Sequence, residues 1–149
     1  MTFRIIAFSI ILFCFNARAL VSPEQCITLQ NDVGKAMLMT MLEDFGISRD
    51  SIIENKTETE LISQQPVNHA LALTFGETEQ RLSGENSDDP TTAEEYAAGF
   101  MAKNAKHQLI KYTFENAVRQ HNVLLASAFI NDEDCAVRFN GYLIVKREF

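Results

Sequence analysis

Hydrophobic positions change their spacing several times along the chain, and each change predicts an element. The first is a predominantly apolar run from Ile5 to Phe15, with Arg4 ahead of it and Ala17-Arg18-Ala19 behind it. A cationic start, an apolar middle and small residues at the positions a signal peptidase reads make a secretory signal over 1–19. Its apolar part is too short to span a bilayer. Residues 20–149 are then the mature chain, long enough for one domain with its own core.

Ser22-Pro23-Glu24-Gln25 carries a helix-start signature, a serine with a glutamine three residues on and a proline just inside. Ile27, Val33, Met37, Leu38, Met41, Leu42 and Phe45 follow at helical spacing until Gly46. One helix is expected over about 23–45. Met37 and Met41 share its apolar stripe and read as core rather than as binding residues. From Thr57 the period becomes two: Thr57, Thr59 and Leu61 alternate with Glu58, Glu60 and Ile62. Leu71, Leu73 and Phe75 share one side of a second such run, so two strands joined near Pro66 are expected. Residues 76–92 read as a loop, punctuated by Gly76, Gly84 and Pro90 and loaded with Glu77, Glu79, Glu85, Asp88 and Asp89.

A second helix is expected to start at Asp89-Pro90, with Glu94 and Glu95 where the helix dipole favours acids, and with Tyr96, Phe100 and Met101 as its buried stripe. Ile110, Phe114 and Val118 would prolong a four-residue spacing. Yet Ile110, Tyr112 and Phe114 also alternate with Lys111, Thr113 and Glu115, and their aromatic and branched content favours a strand over 107–116. Val123 to Ile130 has strand length. Asn140-Gly141, two residues tolerant of positive φ, predicts a tight hairpin between strands 135–139 and 142–146. Together these elements make a single α+β domain, one or two helices on an antiparallel sheet of about five strands.

Charge and cysteines sharpen this picture. Of the 13 basic residues Arg4 and Arg18 lie in the leader and none of the 20 acidic ones does, so cleavage takes the formal charge from −7 to −9. Nucleic acid and anionic membranes repel such a chain, while a basic protein partner suits it. Cys14 leaves with the leader. Cys26 and Cys135 remain as a pair in an oxidising compartment, periplasmic or extracellular, and are expected to form a disulfide. A closed loop of about 110 residues stabilises by roughly 4–5 kcal/mol on the chain-entropy estimate. Neither cysteine belongs to a Cys-x-x-Cys pair, so a redox centre or zinc knuckle is not supported.

Candidate chemistry is sparse. His69, His107 and His121 have no metal-ligand spacing along a helix, although His107 and His121 would face each other if strands 107–116 and 122–130 paired symmetrically. There is no nucleophile elbow, phosphate loop or cofactor motif, and neither a cofactor nor a metal is expected. Asn55-Lys56-Thr57 is a glycosylation sequon in a eukaryotic secreted chain. The acids Glu77, Glu79, Glu85, Asp88 and Asp89 are the expected contact surface. With a cysteine before the first helix and another at a late strand ahead of a hairpin, the layout resembles small periplasmic proteins of the colicin immunity type. That likeness is architectural, shares no motif, and implies a protein-binding module. The reading is an exported acidic binding protein of inhibitor, immunity or accessory type, not an enzyme. A small exported hydrolase with a histidine or carboxylate site is the alternative, and a carrier with a pocket between helix and sheet a third.

Overall fold

A computed structural model of the chain describes residues 22–83 and 91–149. The expected signal at 1–19 and the expected helix start at Pro90 lie outside the described residues. Helices α1 (Pro23–Cys26) and α2 (Asp32–Phe45) come first, followed by two 3₁₀ turns, Arg49–Ser51 and Glu54–Lys56. Then come β1 (Glu58–Pro66), α3 (His69–Ser83), α4 (Ala93–Met101), β2 (Lys106–Glu115), β3 (His121–Ile130) and β4 (Arg138–Lys146). The four strands form one antiparallel sheet in the order β1-β2-β3-β4. The chain is therefore α+β, as its patterning predicts.

The period-two runs explain the sheet. Gln108, Ile110, Tyr112 and Phe114 of β2 stand opposite Ala128, Ala126, Leu124 and Asn122 of β3, and all eight are buried. This face packs on α2, whose Val33, Met37, Leu38 and Met41 are buried in the same cluster. Asn116 turns β2 into β3 by accepting the Val118 and Gln120 amides at its Oδ1, at 3.1 and 2.9 Å. The opposite sheet face carries the α3–α4 hairpin.

Several expectations change. The helix over 23–45 is broken. Cys26 ends α1, and Asn31 Nδ2 donates to Thr28 Oγ1 at 3.1 Å, so polar side chains hold 28–31 out of helix and α2 restarts at Asp32. The break lets Cys26 reach Cys135 in the β3–β4 connection, and the two form a disulfide with Cα atoms 5.0 Å apart. The expected strand near 70–75 is helix α3. Asn68 Oδ1 accepts the Leu71 amide at 2.9 Å as a start cap, and Ala72 and Gly76, four apart, are the buried positions. A short apolar run fits either period, and here the helix period wins.

The expected loop accordingly begins later, because α3 runs through Glu77 and Glu79 to Ser83. Gly76 punctuates nothing: a Cβ there would lie 2.3 Å from the Ala93 carbonyl oxygen, so its lack of a side chain is what lets α3 and α4 touch. Thr92 caps α4, with the Glu95 carboxylate accepting the Thr92 amide at 2.7 Å.

Asn140-Gly141 is not a turn. β4 runs straight through it. Ala128 pairs with Phe139 and Ser127 with Gly141, which leaves Asn140 as the extra residue of a bulge, and Gly141 takes φ +103°. The described residues thus hold four strands, and the β3–β4 connection over 131–137 opens with a turn in which Asn131 Oδ1 accepts the Glu133 and Asp134 amides. β1 likewise continues through Gln64 and Gln65 to Pro66, a proline tolerated at the end of an edge strand.

Candidate interaction face

The α3–α4 hairpin covers only one end of its sheet face. Phe129 of β3 is wholly buried there, its ring 5.3 Å from Phe75 of α3, 5.9 Å from Phe100 of α4 and 5.7 Å from His107 of β2. Arg138 of β4 enters this aromatic cluster, with its guanidinium carbon 4.4 Å from the Phe75 ring centre. Glu79 reaches down from α3 to bind it, at 2.6 Å from Nη2 and 3.1 Å from Nε.

From Arg138 a chain of hydrogen bonds runs across the sheet. Arg138 Nη1 donates to Asn140 Oδ1 at 2.7 Å, Asn140 Nδ2 donates to Ser127 Oγ at 3.2 Å, and Ser127 Oγ lies 2.8 Å from His107 Nε2. The guanidinium has only donors, so Asn140 Oδ1 is the acceptor there and the Asn140 amide nitrogen is the donor to Ser127, while between Ser127 Oγ and a neutral His107 Nε2 the direction is set by the imidazole tautomer. Burial pushes the His107 pKa down, which favours that neutral ring. The bulge makes the relay possible by turning both Asn140 and Gly141 toward this face and returning Tyr142 to the other. There the Tyr142 hydroxyl donates to Asp44 at 2.7 Å.

Beyond the relay no described element covers the sheet. Ser127 and Asn140 form one wall of a shallow cavity of about 270 Å³ whose remaining walls include Phe75, Leu109, Leu125 and Leu143. Leu143 is 69% exposed on this face, whereas Ile144, 53% exposed, pairs with Leu124 and belongs to the opposite face. Charge surrounds this apolar centre. Lys111 pairs with Glu60 at 2.8 Å on one side. Glu115 with His121 at 3.4 Å, and Lys146 with Glu148 at 2.7 Å, close the far end. An apolar centre inside a charged rim is the anatomy of a protein interface.

Of the acids expected to form a contact loop, Glu77 and Glu79 stand on α3, and Glu79 is committed to Arg138. Glu85, Asp88 and Asp89 lie outside the described residues. His107 and His121 do not face each other: His107 pairs with Phe129 and His121 with Glu115, at opposite ends of the ladder. His69 lies 3.0 Å from Glu94 on α4. Among the described residues no three His, Cys, Asp or Glu side chains converge as a metal site. No described helix is long and apolar enough to cross a membrane.

Sequence reasoning passed over Ser127, Arg138 and Asn140. Ser127 had a visible signal, the lone polar residue within Val123–Ile130. Arg138 and Asn140 had none, because their role depends on a bulge that reads as a turn. No family model, curated protein or solved structure matches the chain.

Proposed function

We propose that the protein is an exported, acidic, disulfide-stabilised binding module of inhibitor, immunity or accessory type. It holds a protein partner on the uncovered sheet face beside α3. The observation that carries this reading is Leu143, largely exposed at the mouth of an apolar cavity on the uncovered face. An exposed aliphatic residue beside an apolar cavity, within a rim of charge, favours contact with another macromolecule. The excess of acidic residues favours a partner with basic residues around an aliphatic centre and disfavours nucleic acid. Export rests on the 1–19 pattern and is consistent with a disulfide, a bond that persists in oxidising compartments.

The test is recovery of a complex by the native protein at low and high salt, beside the Leu143→Lys variant. A partner retained by the wild type, weakened by salt and lost with Leu143→Lys supports the reading. Equal retention by the variant overturns it, as does the absence of any co-purifying protein at either ionic strength.

A second reading, a small exported hydrolase, has one observation in its favour, the 2.8 Å contact between Ser127 Oγ and His107 Nε2. It ranks second because no carboxylate among the described residues orients the other imidazole nitrogen. Hydrolysis of a short-chain nitrophenyl ester no faster by the wild type than by Ser127→Ala removes it.

A further inference from the structure

A second cavity lies on the other side of the molecule, against the outer surface of α2. It holds about 390 Å³, within the range of small-molecule sites. Its floor is apolar. Leu29 and Leu38, 8% and 2% exposed, belong to the hydrophobic core, and Met39 beside them is 58% exposed. The polar groups stand at its margin: Arg49 from the first 3₁₀ turn, Glu54 from the second, Lys35 from α2 and Gln30 from the segment between α1 and α2.

Arg49 is held by one edge. Its Nε donates to Glu54 Oε1 at 2.6 Å, which fixes the guanidinium plane, and neither terminal nitrogen has a partner among the described residues. The outer edge therefore keeps N–H donors in the geometry that receives a carboxylate through two bonds. The charge at the site is already balanced, since Glu54 accompanies Arg49 and Asp32 lies 3.1 Å from Lys35. A dianionic head group would meet these carboxylates and the chain's overall negative charge with no free cation to offset it. A monoanion can still be bound by donors rather than by net charge.

The geometry points to a binding site for an aliphatic monocarboxylate, with its chain on Leu29, Leu38 and Met39 and its carboxylate on the free edge of Arg49. This site is separate from the sheet face and does not depend on the proposed docking function.

Titration of the oxidised full chain with octanoate, followed by calorimetry and by the methionine methyl resonances, tests it. The site predicts saturable one-site binding in which the Met39 methyl moves while Met37 and Met41, both buried in the core, do not. Octan-1-ol and octyl phosphate bind more weakly. Arg49→Gln weakens octanoate by roughly tenfold, the effect of losing a charge-assisted pair, and leaves octan-1-ol unchanged. Met39→Glu, which adds a second, unpaired carboxylate to the wall beside the Arg49-bound Glu54, repels octanoate at an exposed position where folding is not at stake. Octanoate that never saturates, that moves the buried methionines alone, or that binds Arg49→Gln as well as wild type overturns the assignment.

Discussion

Asn122 grips the backbone of Phe149 from inside the protein. Its amide nitrogen donates to the Phe149 carbonyl at 3.0 Å, and its Oδ1 accepts the Phe149 and Glu148 amides at 3.3 and 2.9 Å. Asn122 is fully buried, and the Phe149 ring packs against the core. A hydrophobic substitute of similar volume strips three bonds at once from part-buried backbone groups. Asn122→Leu should therefore cost about 2–4 kcal/mol in urea unfolding. Hydrogen exchange at Glu148 and Phe149 should rise to the rate of free chain, and unchanged protection there would refute the assignment.

The Cys26–Cys135 bond closes a loop 109 residues long between α1 and the β3–β4 connection. Constraint of the unfolded chain over that length is worth about 4–5 kcal/mol on the entropic estimate. The double variant Cys26→Ser/Cys135→Ser should lose about 2–5 kcal/mol, the usual range for a native disulfide. The loss should appear as a lower midpoint with a broadly similar native spectrum. A midpoint unmoved by reductant would show that the bond contributes nothing.

Gly141 sits at φ +103° with open space where a Cβ would be. Steric room is not the issue, so the cost of a side chain is backbone strain alone. Gly141→Ala should destabilise by about 1–2 kcal/mol. Because the bulge sets which face Tyr142 occupies, the same variant should also loosen the Tyr142–Asp44 bond, readable as a shift in tyrosine fluorescence. An Ala variant as stable as wild type would mean the bulge can relax.

That bulge also marks where the chain's patterning stops being legible. β2 and β3 are readable because one face is buried along their whole length, so Ile110, Tyr112, Phe114 and Leu124 alternate cleanly with half-exposed neighbours. The disulfide is readable from the pair of cysteines left once the expected leader, with Cys14, is set aside. α3 is not, because Leu71, Leu73 and Phe75 are only half-buried and alternate by accident, while the residues that define its contact face, Ala72 and Gly76, look like filler and punctuation. Asn140-Gly141 misleads for a related reason. Tolerance of positive φ suits a hairpin turn and a bulge equally, and the choice depends on long-range pairing with Ser127 and Ala128. The candidate face inherits this blindness, since its relay consists of residues brought together by the bulge.

Tyr112 is buried beneath α2, and its hydroxyl has no partner among the described residues. Burial pushes its pKa well above the ordinary phenol value. A hydroxyl desolvated without compensation costs about 1–3 kcal/mol. Tyr112→Phe keeps the ring, its stacking on Phe114 at 6.0 Å and its place in the core. The variant should be as stable as wild type or more stable by up to about 2 kcal/mol. Destabilisation beyond about 1 kcal/mol, a typical hydrogen bond's worth, would reveal a partner for that oxygen.

The relay predicts how stability responds to acid. The unfolded His107 titrates near its ordinary value of 6.5, and burial holds the folded ring below that. Between the two values the unfolded chain binds more protons than the folded one, so acid favours unfolding. The contribution of neutral His107 is fully present above pH 6.5 and is lost as the pH falls below it. The carboxylates whose pKa values are lowered, Glu95 and Glu115 among them, lose their stabilisation only in a more acidic window, below the ordinary carboxyl value of 4.5. Unfolding free energy measured from about pH 7 to 5 should therefore decline with a slope that His107→Gln reduces. The glutamine keeps an acceptor for Ser127 but cannot be protonated in this range. A slope identical in wild type and His107→Gln would place the acid sensitivity elsewhere and remove the relay from it.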